Sequence, residues 1–143
     1  MAIETSQGLL KLISYVGVRN AGRLLIVRYE TPPNPDKPGW WIPAPEAGYG
    51  DEPFEVAQQA LARLGFDDVT LRVMDVESFS VGERNWHVCV HYVGDVAHDP
   101  RPREGIAEWR WCAEHELPDA AEFAHRRWEH SLARRMAAFA APR

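Results

Sequence analysis

The sequence predicts an α/β domain of the α+β type, in which a mixed β-sheet is sandwiched between helices. Several runs of apolar and β-branched residues have the length of strands. One helical pattern lies inside the chain and a second lies at its end. With 143 residues, 45% of them hydrophobic and 26% charged, the chain has the size and apolar content of one domain. We therefore expect residues 1–143 to form a single domain.

The first predicted element is a β-hairpin over Leu9–Glu30. Two apolar runs, LLKLISYVGV and RLLIVRYE, flank turn residues at 20–22. Residues 24–27 are apolar at every position, which predicts a central strand covered on both faces. Residues 31–45, called the proline-rich loop below, interleave prolines with tryptophans. Prolines stiffen the backbone and tryptophans favour burial, so we expect this loop to pack against the domain.

The middle of the chain predicts a helix followed by strands. Apolar residues recur at helical spacing over Pro53–Leu64, and Gly65 provides a stop. Strand patterns follow at residues 69–80 and 85–96, and a shorter one lies at residues 107–112.

A second helix is predicted at the end of the chain. Asp119 and Glu122 have the spacing of a capping box, which predicts the start of this helix. Its apolar stripe is predicted to consist of Trp128, Leu132, Met136 and Phe139.

Composition argues against several classes of protein. The 16 Lys and Arg against 21 Asp and Glu give a net charge of -5. A negative charge disfavours binding to the phosphate backbone of a nucleic-acid polymer. No apolar run approaches the roughly 20 residues of a membrane-spanning helix, and the N-terminus lacks the pattern of a signal peptide. Cys89 and Cys112 are too few for a disulfide framework. We expect a cytoplasmic protein with neither a nucleic-acid polymer nor a membrane as partner.

One stretch carries a motif, GWWIPAPEAGYGDEPFEVAQQALARLGF at Gly39–Phe66. It resembles the signature region of the Nudix hydrolases, a family with the MutT-like fold. Trp41-Ile42-Pro43 stands where that family has its tryptophan and proline, and Gly50-Asp51-Glu52 resembles its acidic loop. Residues 108–111 and 114–117 resemble its later strand and Glu-Leu turn. The resemblance implies a Nudix-like sheet between helices and hydrolysis of phosphoanhydrides with Mg²⁺ or Mn²⁺.

The helix of this stretch departs from the family's pattern, which is Arg-Glu-hydrophobic-any-Glu-Glu. Depending on the alignment chosen, those four polar positions hold Gln59, Ala60, Arg63 and Leu64 or Gln58, Gln59, Ala62 and Arg63. Neither alignment supplies a helical glutamate. Carboxylates are the ligands that hold Mg²⁺ beside a phosphoanhydride, and a guanidinium repels the ion. The resemblance therefore implies the fold and a degenerate signature.

Three functions follow as alternatives. The first is a protein that binds a nucleoside diphosphate-linked or other phosphorylated small molecule, a phosphate ester or nucleotide derivative, with weak or no hydrolysis and no cofactor. The second is an active pyrophosphohydrolase that uses Mg²⁺ or Mn²⁺ held by displaced carboxylates. The third is a non-catalytic interaction module, such as a homodimer formed through the terminal helix or a strand edge.

Each alternative has its candidate residues. The catalytic candidates are Glu52, Glu55 and Glu104, and either Glu104 or Glu108 could complete a displaced metal site. The candidate metal ligands are Glu46, Asp51 and Glu52. The candidate ligand-binding residues are Trp41, Tyr49 and Trp86, whose rings can stack on a base, and Arg63. Acids in a first helical turn also complement the helix dipole, and aromatic residues are most often core, so both interpretations stay open.

Overall fold

The computed structural model describes residues 2–140, so both ends of the predicted 1–143 domain lie outside the description. The strands are β1 (Ile3–Thr5), β2 (Gly8–Asn20), β3 (Arg23–Tyr29), β4 (Glu46–Ala47), β5 (Arg72–Val81), β6 (Asn85–Asp95) and β7 (Ile106–Cys112). The helices are α1 (Pro53–Arg63) and α2 (Arg126–Ala138), preceded by 3₁₀ turns at Glu114–Glu116 and Ala120–Glu122. In this part of the chain the strands form one sheet of order β5-β6-β2-β3-β7, with β1 and β4 also paired to β2. Strands β2 and β6 run parallel and the other pairs are antiparallel.

The sheet is covered by α1 on one face and by α2 on the other. Strand β3 shows this division, because Leu24 and Ile26 pack with the α2 residues while Leu25 and Val27 pack with the α1 residues. All four side chains are 0% exposed. The predicted mixed sheet between helices is confirmed, and the continuous apolar run belongs to a strand flanked on both edges.

The proline-rich loop packs against the domain as predicted. Trp41 and Val27 exchange backbone hydrogen bonds of 2.8 and 2.9 Å, which extends the pairing of β3 into the loop. Trp40 is 2% exposed and contacts two guanidinium groups, with the Cζ of Arg28 at 4.5 Å and that of Arg110 at 4.7 Å from its ring centre. Such cation–π contacts stabilise a buried indole beyond the burial of its area. The loop is therefore held at both tryptophans.

The terminal helix begins later than the capping box predicts. Asp119 and Glu122 close the 3₁₀ turn, where the Glu122 Oε2 accepts the backbone N–H of Asp119 at 3.3 Å. Phe123 then enters the core at 0% exposure, which turns the chain away from a helical path, and α2 starts at Arg126. Of the predicted stripe, Leu132 and Met136 are buried, Trp128 is half-buried and Phe139 lies beyond the helix. Neither helix of residues 2–140 is long and apolar enough to cross a membrane.

One other boundary and the exposure of one helix residue differ from the predictions. Strand β5 begins at Arg72 instead of residue 69, because Val69 and Leu71 are buried in the connection before pairing with β6 starts. In α1, Phe54 is 44% exposed and contacts Tyr92 edge-on, although its spacing predicts a core position.

Both cysteines are free and buried. Burial raises the pKa of the Cys89 thiol to about 12 and also raises the pKa of the Cys112 thiol. Both side chains therefore pack as small apolar groups that stay protonated at neutral pH.

Gly65 ends α1 as predicted, with a φ of +86°. A Cβ at this position would lie 2.7 Å from the Arg101 Cβ and 2.9 Å from that residue's backbone N and O. We expect Gly65→Ala to lower the free energy of unfolding by about 2–4 kcal/mol, through backbone strain and this clash. Gly82→Ala is the matched control, because its φ is +71° and nothing lies within 4 Å of the added carbon. If urea denaturation gave the same loss of unfolding free energy for both variants, the clash with Arg101 would not contribute.

Candidate functional site

A cleft of about 790 Å³, called the large cleft below, opens on the α2 side of the sheet. Alternate residues of two strands line it, because side chains two positions apart share a face of a strand. The lining residues used below are Lys11, Tyr15, Lys37, Trp41, Glu46, Glu77, Phe79, His87, His125, Arg126 and Trp128. The cleft thus combines strand residues with the proline-rich loop and the start of α2.

Aromatic side chains form much of the cleft wall. Trp41 meets the ring of His125 edge-on at 4.8 Å, and Tyr15 meets Trp128 at 5.0 Å. The indole N–H of Trp41 donates to the Lys37 backbone O at 3.0 Å, so this buried donor is satisfied. Burial, followed by the charge of Glu129, raises the pKa of Tyr15, which keeps its hydroxyl protonated. The wall offers apolar faces with fixed polar edges, as small-molecule sites usually do.

The charged groups of the cleft are partly paired. The Lys11 Nζ lies 3.6 Å from the Glu46 Oε1. Within residues 2–140, Lys37 and Arg126 have no carboxylate within ion-pair distance. Burial, and next the charge of Lys11, lowers the pKa of His87. The lining carries three cationic side chains, Lys11, Lys37 and Arg126, against the carboxylates of Glu46 and Glu77, and this excess of positive charge suits an anionic ligand.

A buried carboxylate supports one wall of the cleft. Glu129 of α2 is 0% exposed, and three nitrogen atoms lie within hydrogen-bond distance of its carboxyl group. Its Oε2 accepts the backbone N–H of Ile42 at 2.8 Å. Its Oε1 accepts the backbone N–H and contacts the Nδ1 of His125, both at 3.0 Å. One side chain thereby joins α2, the proline-rich loop and a cleft residue.

A smaller pocket of about 360 Å³, called the α1 pocket below, adjoins the helix α1. Helix α1 contributes Ala60 and Arg63 to the pocket lining, and Leu64 follows directly after the helix. Tyr29 and Glu104 also line the pocket. Burial raises the pKa of Tyr29 to about 12. The pocket shares Pro33, Ala44 and Glu46 with the large cleft, so the two cavities adjoin at these residues.

The residues at the α1 pocket do not fit a Mg²⁺ or Mn²⁺ ion. Glu46 and Glu104 line it, but Arg63 shares the pocket and Glu46 is paired with Lys11. Over residues 2–140, no three His, Cys, Asp or Glu side chains are grouped so as to hold a metal ion. Hard divalent cations require several oxygen ligands, and a guanidinium opposes them.

Known proteins of similar structure identify the fold. No family model and no curated protein matches the sequence. Among solved structures, a MutT protein from Methanosarcina mazei Go1 has a TM-score of 0.63 at 17% identity, covering 85% of this chain and 91% of that one. A Nudix hydrolase from Nitrosomonas europaea has a TM-score of 0.64 at 17% identity, covering 94% and 73%. The dihydroneopterin triphosphate pyrophosphohydrolase of E. coli has a TM-score of 0.66 at 13% identity, covering 87% and 92%.

The chain has the Nudix fold. The fold that the signature resemblance implies is therefore confirmed. Identities this low carry the fold alone and not the chemistry of the site.

Within this Nudix fold, some predicted residues come together. Trp41 lies in the large cleft, Arg63 and Glu104 lie in the α1 pocket, and Glu46 lines both. These four positions could not be assigned to one site from spacing, because they belong to the proline-rich loop, β4, α1 and the β6–β7 connection.

Other predicted residues of the Nudix fold line neither cavity. Tyr49 is 93% exposed and Trp86 is 51% exposed. The Asp51 Oδ2 accepts the backbone N–H of Gly48 at 2.8 Å, which closes the loop before α1. Glu52 precedes α1 as its N-cap and Glu55 lies in its first turn, both exposed, while Glu108 pairs with Arg28 at 3.2 Å. Their roles in catalysis, metal binding or ligand binding stay predictions.

Sequence reasoning missed most of the large cleft. Lys11, Ile13 and Tyr15 alternate along β2, which was a visible signal for a shared face. His125 and Glu129 have the i,i+4 spacing of helical neighbours, which was also visible. Nothing in the spacing showed that β2, β5 and the proline-rich loop meet at one cavity.

Proposed function

We propose that this protein binds a nucleoside diphosphate-linked or other phosphorylated small molecule across the large cleft and the α1 pocket, with weak or no hydrolysis. The proposal rests on one observation: helix α1 lines its pocket with the Ala60 methyl group and the Arg63 guanidinium. The Nudix signature implies glutamates on this helix. Their replacement by a cation changes the preferred partner from a metal ion to an anion.

Arg63 supports the phosphate end of the proposal. It has no carboxylate within ion-pair distance among residues 2–140, so its donors are available to a ligand. A guanidinium binds phosphate oxygens in a bidentate manner and keeps its charge at all physiological pH values. The remaining part of the ligand would lie against the aromatic wall that includes Trp41.

The weak hydrolysis is expected from the side chains that α1 contributes to the pocket. Cleavage of a phosphoanhydride requires neutralisation of charge on the oxygens and activation of a water molecule. Arg63 can neutralise charge, but it cannot accept the proton of water. Removal of a general base costs about 10²- to 10⁴-fold in rate. The E. coli structure of similar fold is named as a pyrophosphohydrolase of a triphosphate, which supports a phosphorylated small molecule as the ligand class.

An active hydrolase is the second candidate, because Glu46 and Glu104 line the same pocket. In this alternative the two carboxylates would hold Mg²⁺ or Mn²⁺. The interaction module is favoured only by the edge strand β5, which exposes Val73 and Val76. Light scattering tests the homodimer directly. A cytoplasmic location belongs to the proposal too, supported by the two free cysteines.

Isothermal titration with a panel of nucleoside diphosphates, nucleoside triphosphates and sugar nucleotides tests the proposal. We expect affinity to be the same in EDTA as in Mg²⁺ or Mn²⁺, because Arg63 supplies the positive charge. We expect little or no release of product over hours. Turnover at about 1 s⁻¹ or faster, dependent on metal and lost in Glu46→Gln or Glu104→Gln, would favour the hydrolase instead.

A further inference from the structure

The buried carboxylate of Glu129 fixes which nitrogen of His125 carries a proton. Each oxygen of this carboxyl group accepts a backbone N–H, from Ile42 at 2.8 Å and from His125 at 3.0 Å, and its remaining partner is the His125 Nδ1 at 3.0 Å. Two accepted backbone N–H bonds are the arrangement of an ionised carboxylate, and opposite an ionised carboxylate the His125 Nδ1 is the donor. In a neutral imidazole this leaves the Nε2 as a lone-pair acceptor.

The Nε2 atom is open to the large cleft. His125 lines the cleft with its side chain 26% exposed. Within residues 2–140 its Nε2 has no hydrogen-bond partner, and it is not among the side-chain atoms closed off from solvent. The ring is held on its other sides by the Trp41 edge contact and by Glu129. A fixed ring with one accessible acceptor is what a recognition group requires.

We propose that His125 is a ligand-contacting residue of the large cleft, whose Nε2 accepts a hydrogen bond from an N–H or O–H group of the ligand. Glu129 is its positioning residue. This inference rests on the proposed function and narrows the ligand class, because the part of the phosphorylated molecule distant from Arg63 must carry a donor. Ring amino groups of nucleobases and sugar hydroxyls meet that requirement.

Glu129 also links this contact to the proline-rich loop. Its second oxygen holds the Ile42 backbone N–H, next to Trp41 in the wall of the cleft. The same carboxylate therefore positions the acceptor and an aromatic face on which the ligand would lie. Both groups are already in position before a ligand binds. Binding therefore loses less conformational entropy than it would if the side chains had to become ordered.

The variant that isolates the Nε2 is His125→Asn. The asparagine amide N–H stands close to the position of Nδ1 and can still donate to Glu129, whereas no atom replaces the Nε2. We expect an unchanged melting temperature and a loss of about tenfold in affinity for the tightest binder among ADP, GDP, CDP and UDP, measured in EDTA. His115→Asn, an exposed histidine outside both cavities, is the control and should bind as the wild type does.

Long-range ¹H–¹⁵N NMR in alkaline buffer gives a second readout, the tautomer and the Nε2 chemical shift of His125. A histidine with a purely structural role would show no change in the Nε2 shift when nucleotide is added. We expect the wild type to show the Nδ1–H form of His125, and the Nε2 resonance to shift when the same nucleotide is added. Glu129→Gln should lose the single tautomer.

The outcomes separate the two proposals. Nucleotide binding that is weakened by Arg63→Gln but unchanged by His125→Asn would overturn the role of His125 and leave the proposed function standing. An Nε2–H tautomer in the wild type would overturn it as well. If no nucleoside diphosphate, nucleoside triphosphate or sugar nucleotide of the panel binds, the proposed function fails and this inference fails with it.

Discussion

Replacing Glu129 by alanine is expected to lower the free energy of unfolding by about 3–5 kcal/mol. The side chain is fully buried, its two oxygens accept the backbone N–H groups of Ile42 and His125, and its Oε1 also contacts the His125 Nδ1. Removal leaves these donors unpaired away from water, and it opens a cavity between α2 and the proline-rich loop. Urea denaturation followed by tryptophan fluorescence measures the loss.

Two further variants control this prediction. Glu129→Gln keeps one acceptor oxygen but turns an NH₂ group toward an N–H donor, so an intermediate loss of about 1–3 kcal/mol is expected. Glu83→Ala, in the exposed turn between β5 and β6, should change the free energy of unfolding by less than about 0.5 kcal/mol. A loss for Glu129→Ala no larger than that of Glu83→Ala would show that the carboxylate does not hold the loop.

Replacing Arg63 by glutamate is expected to reduce the affinity for a nucleoside diphosphate at least about 100-fold. The change removes a charge-assisted contact with phosphate and adds repulsion from a carboxylate in the α1 pocket. Affinity must be measured in EDTA, because the new side chain would join Glu46 and Glu104 and give a divalent ion the oxygen ligands that the pocket lacks. We also expect the variant to bind Mn²⁺, which electron paramagnetic resonance can measure.

Arg84→Glu provides the comparison for net charge, since Arg84 lies in the turn before β6 and outside both cavities. It should leave nucleotide affinity within about twofold, because exposed charges far from the ligand are screened by salt. If Arg63→Glu and Arg84→Glu weaken binding equally, the effect comes from the charge of the whole protein and Arg63 does not contact the phosphate.

Much of the fold could be predicted from local patterns in the sequence. The β2–β3 hairpin, the α1 helix with its stop at Gly65 and the strands β6 and β7 follow from periodicity and turn residues. The start of α2 could not, because Asp119 and Glu122 form a capping box that serves a 3₁₀ turn and Phe123 then interrupts the helix. Burial of one aromatic residue outweighed the local helix signal.

The site was less predictable because tertiary pairing creates it. Arg63 was found through its place in the signature, and Trp41 through its place in the proline-rich loop. Tyr49 and Trp86 carry the same aromatic signal as Trp41, yet they are exposed and line neither cavity. Residue type alone cannot tell which aromatic ring faces a cleft, since that depends on the parallel pairing of β2 with β6 and on the path of the loop.

The burial of Cys89 and Cys112 has a practical consequence for measuring ligand binding. Thiol-reactive dyes attack thiolates that they can reach, and both native thiols are shielded and protonated. A cysteine introduced at Asn34, on the rim of the large cleft, would therefore be labelled selectively in the otherwise unaltered chain. The fluorescence of such a probe would report occupancy of the cleft without a radioactive nucleotide or a coupled assay.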